Sequence, residues 1–175
     1  MENKVLNSAY IDTPIGKMIA IGDEERLYLL EFTERRKLEP EIERLKLTIN
    51  ADIIPGKADS INSIEKELEA YFSGSLREFK TPIFMWGTSF QKLVWQELLR
   101  IPYGETRSYL GQAESMNKPT ACRAVANANG CNQIAIVIPC HRIINSNGKL
   151  GGYAAGIERK LWLLNHEKKI LGLGE

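Results

Sequence analysis

Sulfur and imidazole are scarce in this chain of 175 residues, which has three cysteines and two histidines. Cys122, Cys131 and Cys140 are spaced nine apart with no Cys-x-x-Cys or His-x-x-x-His pair, so neither a metal site nor another cofactor is expected. An odd number of cysteines suits a reducing compartment better than a disulfide framework. Long apolar runs are also missing. The longest aliphatic stretch is Ile134, Ala135, Ile136, Val137 and Ile138, far below the ~20 residues of a membrane-spanning helix. The start, Met1-Glu2-Asn3-Lys4, lacks the pattern of a secretory signal. A cytosolic protein without membrane attachment is expected. The first half has no His, no Cys and no glycine-rich phosphate loop, which marks it as scaffold.

What is present is ordinary in bulk. Hydrophobic residues make up 43% and charged residues 26%, which excludes disorder of the whole chain. The net charge of +1 gives no sign of a nucleic-acid partner. By halves the balance changes: residues 1–87 hold 12 Lys and Arg against 16 Asp and Glu, a balance of −4, and residues 88–175 hold 11 against 6, a balance of +5. A basic half fits nucleic-acid binding, and it fits plain solubility equally well.

The first half has the pattern of an α/β unit. Aliphatic runs at Val5–Ile11, Lys17–Gly22 and Leu27–Phe32, divided by Pro14, Gly16 and Gly22-Asp23, predict an antiparallel meander. Helical spacing follows from about Glu34 to Leu47, with an interruption at Pro40, and from about Ser60 to Phe72, ending near Gly74. Residues 75–87 look like a linker. The fold class expected is α+β, with an N-terminal α/β scaffold over 1–80 and a mainly helical C-terminal unit over 81–175.

In the second half, Thr88 and Gln91 have capping-box spacing. Phe90, Leu93, Val94, Leu98 and Ile101 then share one helical face until Pro102. Two short helices should follow, one over about Ser108–Ser115 and one beginning near Pro119 and ending before Gly130. The pair is a helix-turn-helix candidate, and such pairs also occur in ordinary helical cores. Thr120, Ala121, Cys122, Ala124, Val125, Ala126 and Ala128 are small, and Arg123 is the one long cation among them. A slim helix can approach the minor groove, where a lone Arg can replace an extruded base. Equally, the alanines could pack on a neighbouring helix with Arg123 solvated.

The run Ile134–Ile138 is expected to be a buried strand, with Pro139 placing Cys140 and His141 at its end. A Cys near a His and a carboxylate forms a thiolate at neutral pH, with the imidazole taking the proton and the acid fixing the tautomer. Glu167 is the candidate acid. Free Cys is also often a small buried hydrophobe. His166 is expected at the surface near the end of the last helix.

The segments Ile138-Pro139-Cys140-His141-Arg142-Ile143-Ile144, then Gly148, Gly152-Tyr153-Ala154-Ala155-Gly156 and Lys160-Leu161-Trp162-Leu163-Leu164-Asn165-His166-Glu167 resemble the O6-alkylguanine-DNA alkyltransferase family. Upstream, Pro102-Tyr103-Gly104-Glu105-Thr106, Ser108-Tyr109, Ala121-Cys122-Arg123-Ala124-Val125 and Asn132 fit the same family in order, over about residues 86–168. The resemblance implies DNA repair by direct reversal. The alkyl group on O6 of guanine, with O4 of thymine as a further candidate, would pass irreversibly to Cys140. His141, through a bound water and backed by Glu167, would remove the thiol proton. Asn132 would brace the site, and Tyr109 would assist departure of guanine. Arg123, with Tyr109, Ala121 and Thr120, would meet the DNA from the minor groove. Tyr153, Ala154 and the backbone near Ile143 would line the pocket. Some members have a serine at the Ala154 position, and N-terminal zinc ligands found in others are absent here.

The implied product is a thioether. It has no carbonyl for water to attack, so each molecule would act once, as a monomer on double-stranded alkylated DNA. Two rivals remain: a protein that binds alkylated guanine without repairing it, which Cys140 argues against, and a cysteine hydrolase, which would turn over and ignore DNA.

Overall fold

The computed structural model describes residues 2–174. They divide at Trp86/Gly87 into two compact units.

The first unit is built on three strands, β1 (Lys4–Thr13), β2 (Gly16–Gly22) and β3 (Leu27–Phe32), paired as the expected antiparallel meander. Helix α1 spans Leu38–Ile49. It starts later than Glu34 because Lys37 adopts a left-handed φ of 71°. Pro40 does not interrupt it, since it lies in the first turn, where a backbone N–H has no intrahelical partner to lose. Asn50, with φ 51°, turns the chain into β4 (Ala51–Pro55), which pairs parallel with β1 and completes the sheet order β3-β2-β1-β4. This strand was not legible in the sequence, being five residues long and half exposed. Helix α2 (Asp59–Ser73) ends at Gly74, whose N–H reaches the Ala70 and Tyr71 carbonyls.

Residues 82–86 are not a linker. Leu27 donates to the Pro82 carbonyl (2.9 Å) and Phe84 to the Leu27 carbonyl (2.8 Å). Trp86 enters the core beside Leu6, Ile21, Leu29 and Leu45 and donates to the Tyr28 carbonyl at 2.8 Å. Burial of Trp86 and the partial burial of Phe84 remove apolar area from water, which a solvated linker would leave exposed.

The second unit opens with α3 (Ser89–Leu98), capped at Thr88 by the full capping box with Gln91. Its buried face is Val94, Trp95 and Leu98, with Ile101 beyond the end, whereas Leu93 is 49% exposed. The expected face is thus buried at Val94, Leu98 and Ile101, but Leu93 lies outside it and Trp95 belongs to it, donating to the Ala128 carbonyl at 2.9 Å. Strand β5 (Arg107–Ser108) leads into α4 (Tyr109–Ser115), N-capped by the Ser108 hydroxyl. Helix α5 spans Cys122–Gly130. It begins three residues after Pro119, because Lys118–Ala121 is a turn closed by a 2.9 Å backbone bond that holds Pro119. Thr120 and Ala121 therefore precede the helix, and the Ala121 carbonyl accepts from Val125.

The run Ile134–Ile138 is buried but is not a strand. It closes on itself through Ile138 N to Ile134 O (3.0 Å) and Val137 N to Ala135 O (2.8 Å), with Ile136 at φ 71°. A short apolar run specifies burial and leaves the conformation open, and here the backbone groups are satisfied by turns. Cys140 consequently stands not at a strand end but in a single 3₁₀ turn, Cys140–Arg142, followed by β6 (Ile143–Ile144), which pairs parallel with β5. Helix α6 (Ile157–Ile170) closes the unit, with His166 a turn before its end and stacked on Trp162 at 4.8 Å. Among the described residues no helix is long and apolar enough to cross a membrane.

Candidate active site

Cys140 is half-buried, and its position is set from both sides of the sequence. Asn132, just past α5, donates through Nδ2 to the Ile138 carbonyl (2.8 Å) and to Cys140 Sγ (3.3 Å), while its Oδ1 accepts from Ile134 N (3.0 Å). One buried amide thus holds the turn segment and offers a donor to the sulfur, which favours the thiolate.

Behind the 3₁₀ turn lies a buried charged cluster. His141 and Glu167 are fully inaccessible, and Arg142 is nearly so. The Glu167 carboxylate sits 2.8 Å from His141 Nε2. It also accepts from Arg142 Nη2 (2.8 Å) and Nε (3.0 Å) and from Gly104 N (3.1 Å). Arg142 Nη1 donates to the Ile101 carbonyl at 2.8 Å. Desolvation pushes the Glu167 pKa up, but the His141 and Arg142 contacts outweigh it and hold the group below its ordinary value. For His141 desolvation dominates and lowers the pKa, so the ring is neutral at neutral pH. With the carboxylate accepting from Nε2–H, the bare nitrogen is Nδ1, which has no hydrogen-bond partner among the described residues. The cluster is therefore a neutral imidazole, on the residue that follows the thiol in sequence, oriented by an ionised acid that His141 and Arg142 hold ionised.

Gly104 explains part of the Pro-Tyr-Gly segment. Its φ of 79° aims its N–H at Glu167, and a Cβ there would collide with Leu171.

A cavity of about 260 Å³ opens on Cys140, lined by Tyr109, Ala126, Asn129, Gly152, Tyr153 and Ala154 among others. A wider cleft of about 660 Å³ shares Tyr109, Ala126 and Gly152 with it and carries Arg123 and Cys122. Tyr109 faces both spaces. Desolvation and then the Cys140 charge raise its pKa, so it stays a phenol able to donate a proton. Gly151, at φ 70°, packs against it: a Cβ there would lie 3.0 Å from the Tyr109 hydroxyl. Arg123 is exposed on the first turn of α5, beside exposed Ala124.

The structure joins Asn132 to Cys140 and Glu167 to His141, and places Tyr109, Tyr153 and Ala154 around the cavity at the thiol. It does not bring Ile143 into that cavity, since Ile143 is fully buried in β6. Thr120 and Ala121 line neither space. Two residues escaped the sequence reading as chemistry. Arg142 was only a member of the Cys-His-Arg segment. Lys160 is completely buried, donates to the Gly152 carbonyl at 3.0 Å and lies 5.9 Å from the Tyr109 ring centroid. Desolvation lowers its pKa to about 8, opposed by the charge of Cys140. Lys160 was only a member of the Lys160–Glu167 segment, and a lysine that follows Glu158 and Arg159 on a helix carries no local signal of burial.

A half-buried thiol that opens on a cavity, followed in sequence by a neutral imidazole paired with an ionised carboxylate, is the residue set that a cysteine-nucleophile protein requires. Residues 89–169 match the family model for the DNA binding domain of 6-O-methylguanine DNA methyltransferase, and residues 6–84 match that for its ribonuclease-like domain. The chain is 45% identical over 161 residues to the methylated-DNA–protein-cysteine methyltransferase of Methanosarcina barkeri, covering 92% of this chain and 96% of that protein. To the Mycobacterium tuberculosis protein of the same name it is 45% identical over 158 residues, 90% of each. The crystal structure of Mycobacterium tuberculosis OGT in complex with DNA superposes with a TM-score of 0.80 at 40% identity, covering 95% of this chain and 94% of that one. The chain belongs to the methylated-DNA–protein-cysteine methyltransferase family.

Proposed function

We propose that this protein repairs double-stranded DNA by moving an alkyl group from O6 of guanine to Cys140, once per molecule. The observation that carries this reading is the buried Arg142–Glu167–His141 cluster behind a half-buried thiol that opens on a cavity. In the reaction the thiol proton passes to His141 Nδ1, directly or through a water. The sulfur attacks the sp³ carbon, the S–C bond forms as the C–O6 bond breaks, and the electron pair leaves on guanine. Tyr109, a donor at the cavity wall, meets that developing charge. The neutral thioether product offers no route back to the thiol.

The base must leave the stack to reach the cavity, at a cost of a few kcal/mol. Arg123, exposed at the start of α5, is suited to fill the gap it leaves, with the helix pair seated as a helix-turn-helix in the minor groove. A single protein per lesion suffices, because the described site is complete within residues 87–174. O4-alkylthymine is a second substrate to be tried with the same assay.

The experiment is intact-mass analysis of the protein after incubation with a duplex containing O6-methylguanine. One methyl group per molecule, on the Cys140 peptide, is expected, and none with Cys140→Ser, which keeps DNA binding. Unchanged mass with tight binding would instead indicate a recognition protein, and unchanged mass without binding would overturn the reading.

A further inference from the structure

The wall of the cavity at Cys140 is not simply apolar. Asn129, near the end of α5, is 6% exposed and lines the cavity that holds Cys140. It is locked by Gln112 of α4, which is fully buried. Gln112 Nε2 donates to Asn129 Oδ1 (3.0 Å), and Asn129 Nδ2 donates to Gln112 Oε1 (2.7 Å). Gln112 Nε2 also reaches the Val94 carbonyl of α3 at 3.4 Å. Both donors and the acceptor of Gln112 are thus engaged. An asparagine amide has two N–H groups, and the reciprocal pair uses one of them.

We propose that the second N–H of Asn129 is a specificity determinant, selecting O6-alkyl groups that carry a hydrogen-bond acceptor, such as a terminal hydroxyl, ether or carboxylate oxygen, over hydrocarbon groups of equal size. The inference rests on the alkyl-transfer reading above. On this proposal the second N–H faces the cavity that Asn129 lines and is met there by solvent. A hydrocarbon substituent displaces that solvent and leaves a donor bare in a confined space, whereas an oxygen at the same place replaces the lost bond. Because Gln112 fixes the amide plane, the donor cannot rotate away to find another partner. The lock also explains why a buried amide pair joins the two short helices, where a pair of leucines would serve packing alone.

O6-(2-hydroxyethyl)guanine and O6-propylguanine differ by one OH in place of one CH₃, so their transfer rates from the same duplex form the readout. The rates are measured in the native protein and in the double variant Gln112→Leu/Asn129→Leu. Removing both partners avoids stranding a single buried polar group. The ratio of hydroxyethyl to propyl transfer is expected to fall about tenfold in the variant, the upper end of what one net hydrogen bond contributes. Comparing ratios cancels the intrinsic reactivity of the two groups and any common loss of activity from altered packing. Should the leucine pair misfold, Asn129→Ala in the otherwise native chain gives the same reading. Ratios that agree within twofold between native and variant proteins would overturn the assignment of Asn129 while leaving alkyl transfer intact. Failure of the native protein to take a methyl group from O6-methylguanine would instead overturn the transfer reading itself, and this inference with it.

Discussion

Replacing Glu167 by Gln preserves the size of the side chain and removes the charge on which the buried cluster turns. The carboxylate accepts from two Arg142 nitrogens, from His141 and from Gly104. A glutamine has one acceptor oxygen, and its NH₂ must face donors on Arg142 or Gly104. Breaking one side of a buried ion pair typically costs about 3–5 kcal/mol. The amide oxygen retains part of the network, so a loss of about 3 kcal/mol in unfolding free energy is expected, measured by urea denaturation at neutral pH. The difference has a definite pH dependence. Glu167 has a folded pKa below the ordinary glutamate value of 4.5. Its contribution is therefore fully present above about 4.5 and is lost as the pH falls through the folded value. The native and Glu167→Gln curves should converge on acidification. In single-turnover transfer from O6-methylguanine DNA, the variant should be slowed about 100-fold, the low end of what a positioned general base contributes. A variant within about 0.5 kcal/mol of native stability, transferring at the native rate, would refute the argument that this cluster both holds the turn and prepares the thiol.

Arg123→Ala should weaken binding to lesion duplex and slow transfer from duplex about tenfold, while reaction of the free alkylated base is little changed; equal losses on both substrates would contradict its assignment to the DNA. Gly151→Ala puts a Cβ against the Tyr109 hydroxyl at a left-handed φ of 70°, and a shifted Tyr109 should slow transfer at least tenfold with the DNA affinity preserved in a gel-shift titration. Lys160 carries a folded pKa of about 8 against 10.5. Between these values the unfolded chain binds more protons, so the cost of burying the ammonium, about 3 kcal/mol, is present below pH 8 and fades toward 10.5. Lys160→Met is therefore expected to be the more stable protein near pH 7, by about 2 kcal/mol once the lost bond to the Gly152 carbonyl is counted, with the advantage vanishing at high pH.

The linear sequence was sufficient wherever a rule is local. The Thr88–Gln91 capping box, the Gly74 stop of α2 and the Ser108 cap of α4 depend on groups within a few residues of one another, and they stand where the spacing put them. So does the meander, whose turns are set by Pro14, Gly16 and Gly22-Asp23. Cys140 and His141 were legible as chemistry because cysteine and histidine are scarce, and Glu167 because it falls in a specific pattern of segments. Tertiary structure decided what depends on partners distant in the chain. The aliphatic run Ile134–Ile138 is a separate case: its bonds are local, within the segment and to Asn132, but a short apolar run specifies burial and leaves the choice between ladder and turns open. Burial of Arg142 and Lys160, the bare Nδ1 of His141 and the amide lock of Gln112 on Asn129 are properties of packing across 17 or more residues of sequence, and side chains of these types read as solvated polar residues until their neighbours are in place. Local hydrogen-bond geometry thus fixed the elements of this protein. The ionisation state of its site was fixed by desolvation, which no stretch of sequence carries alone.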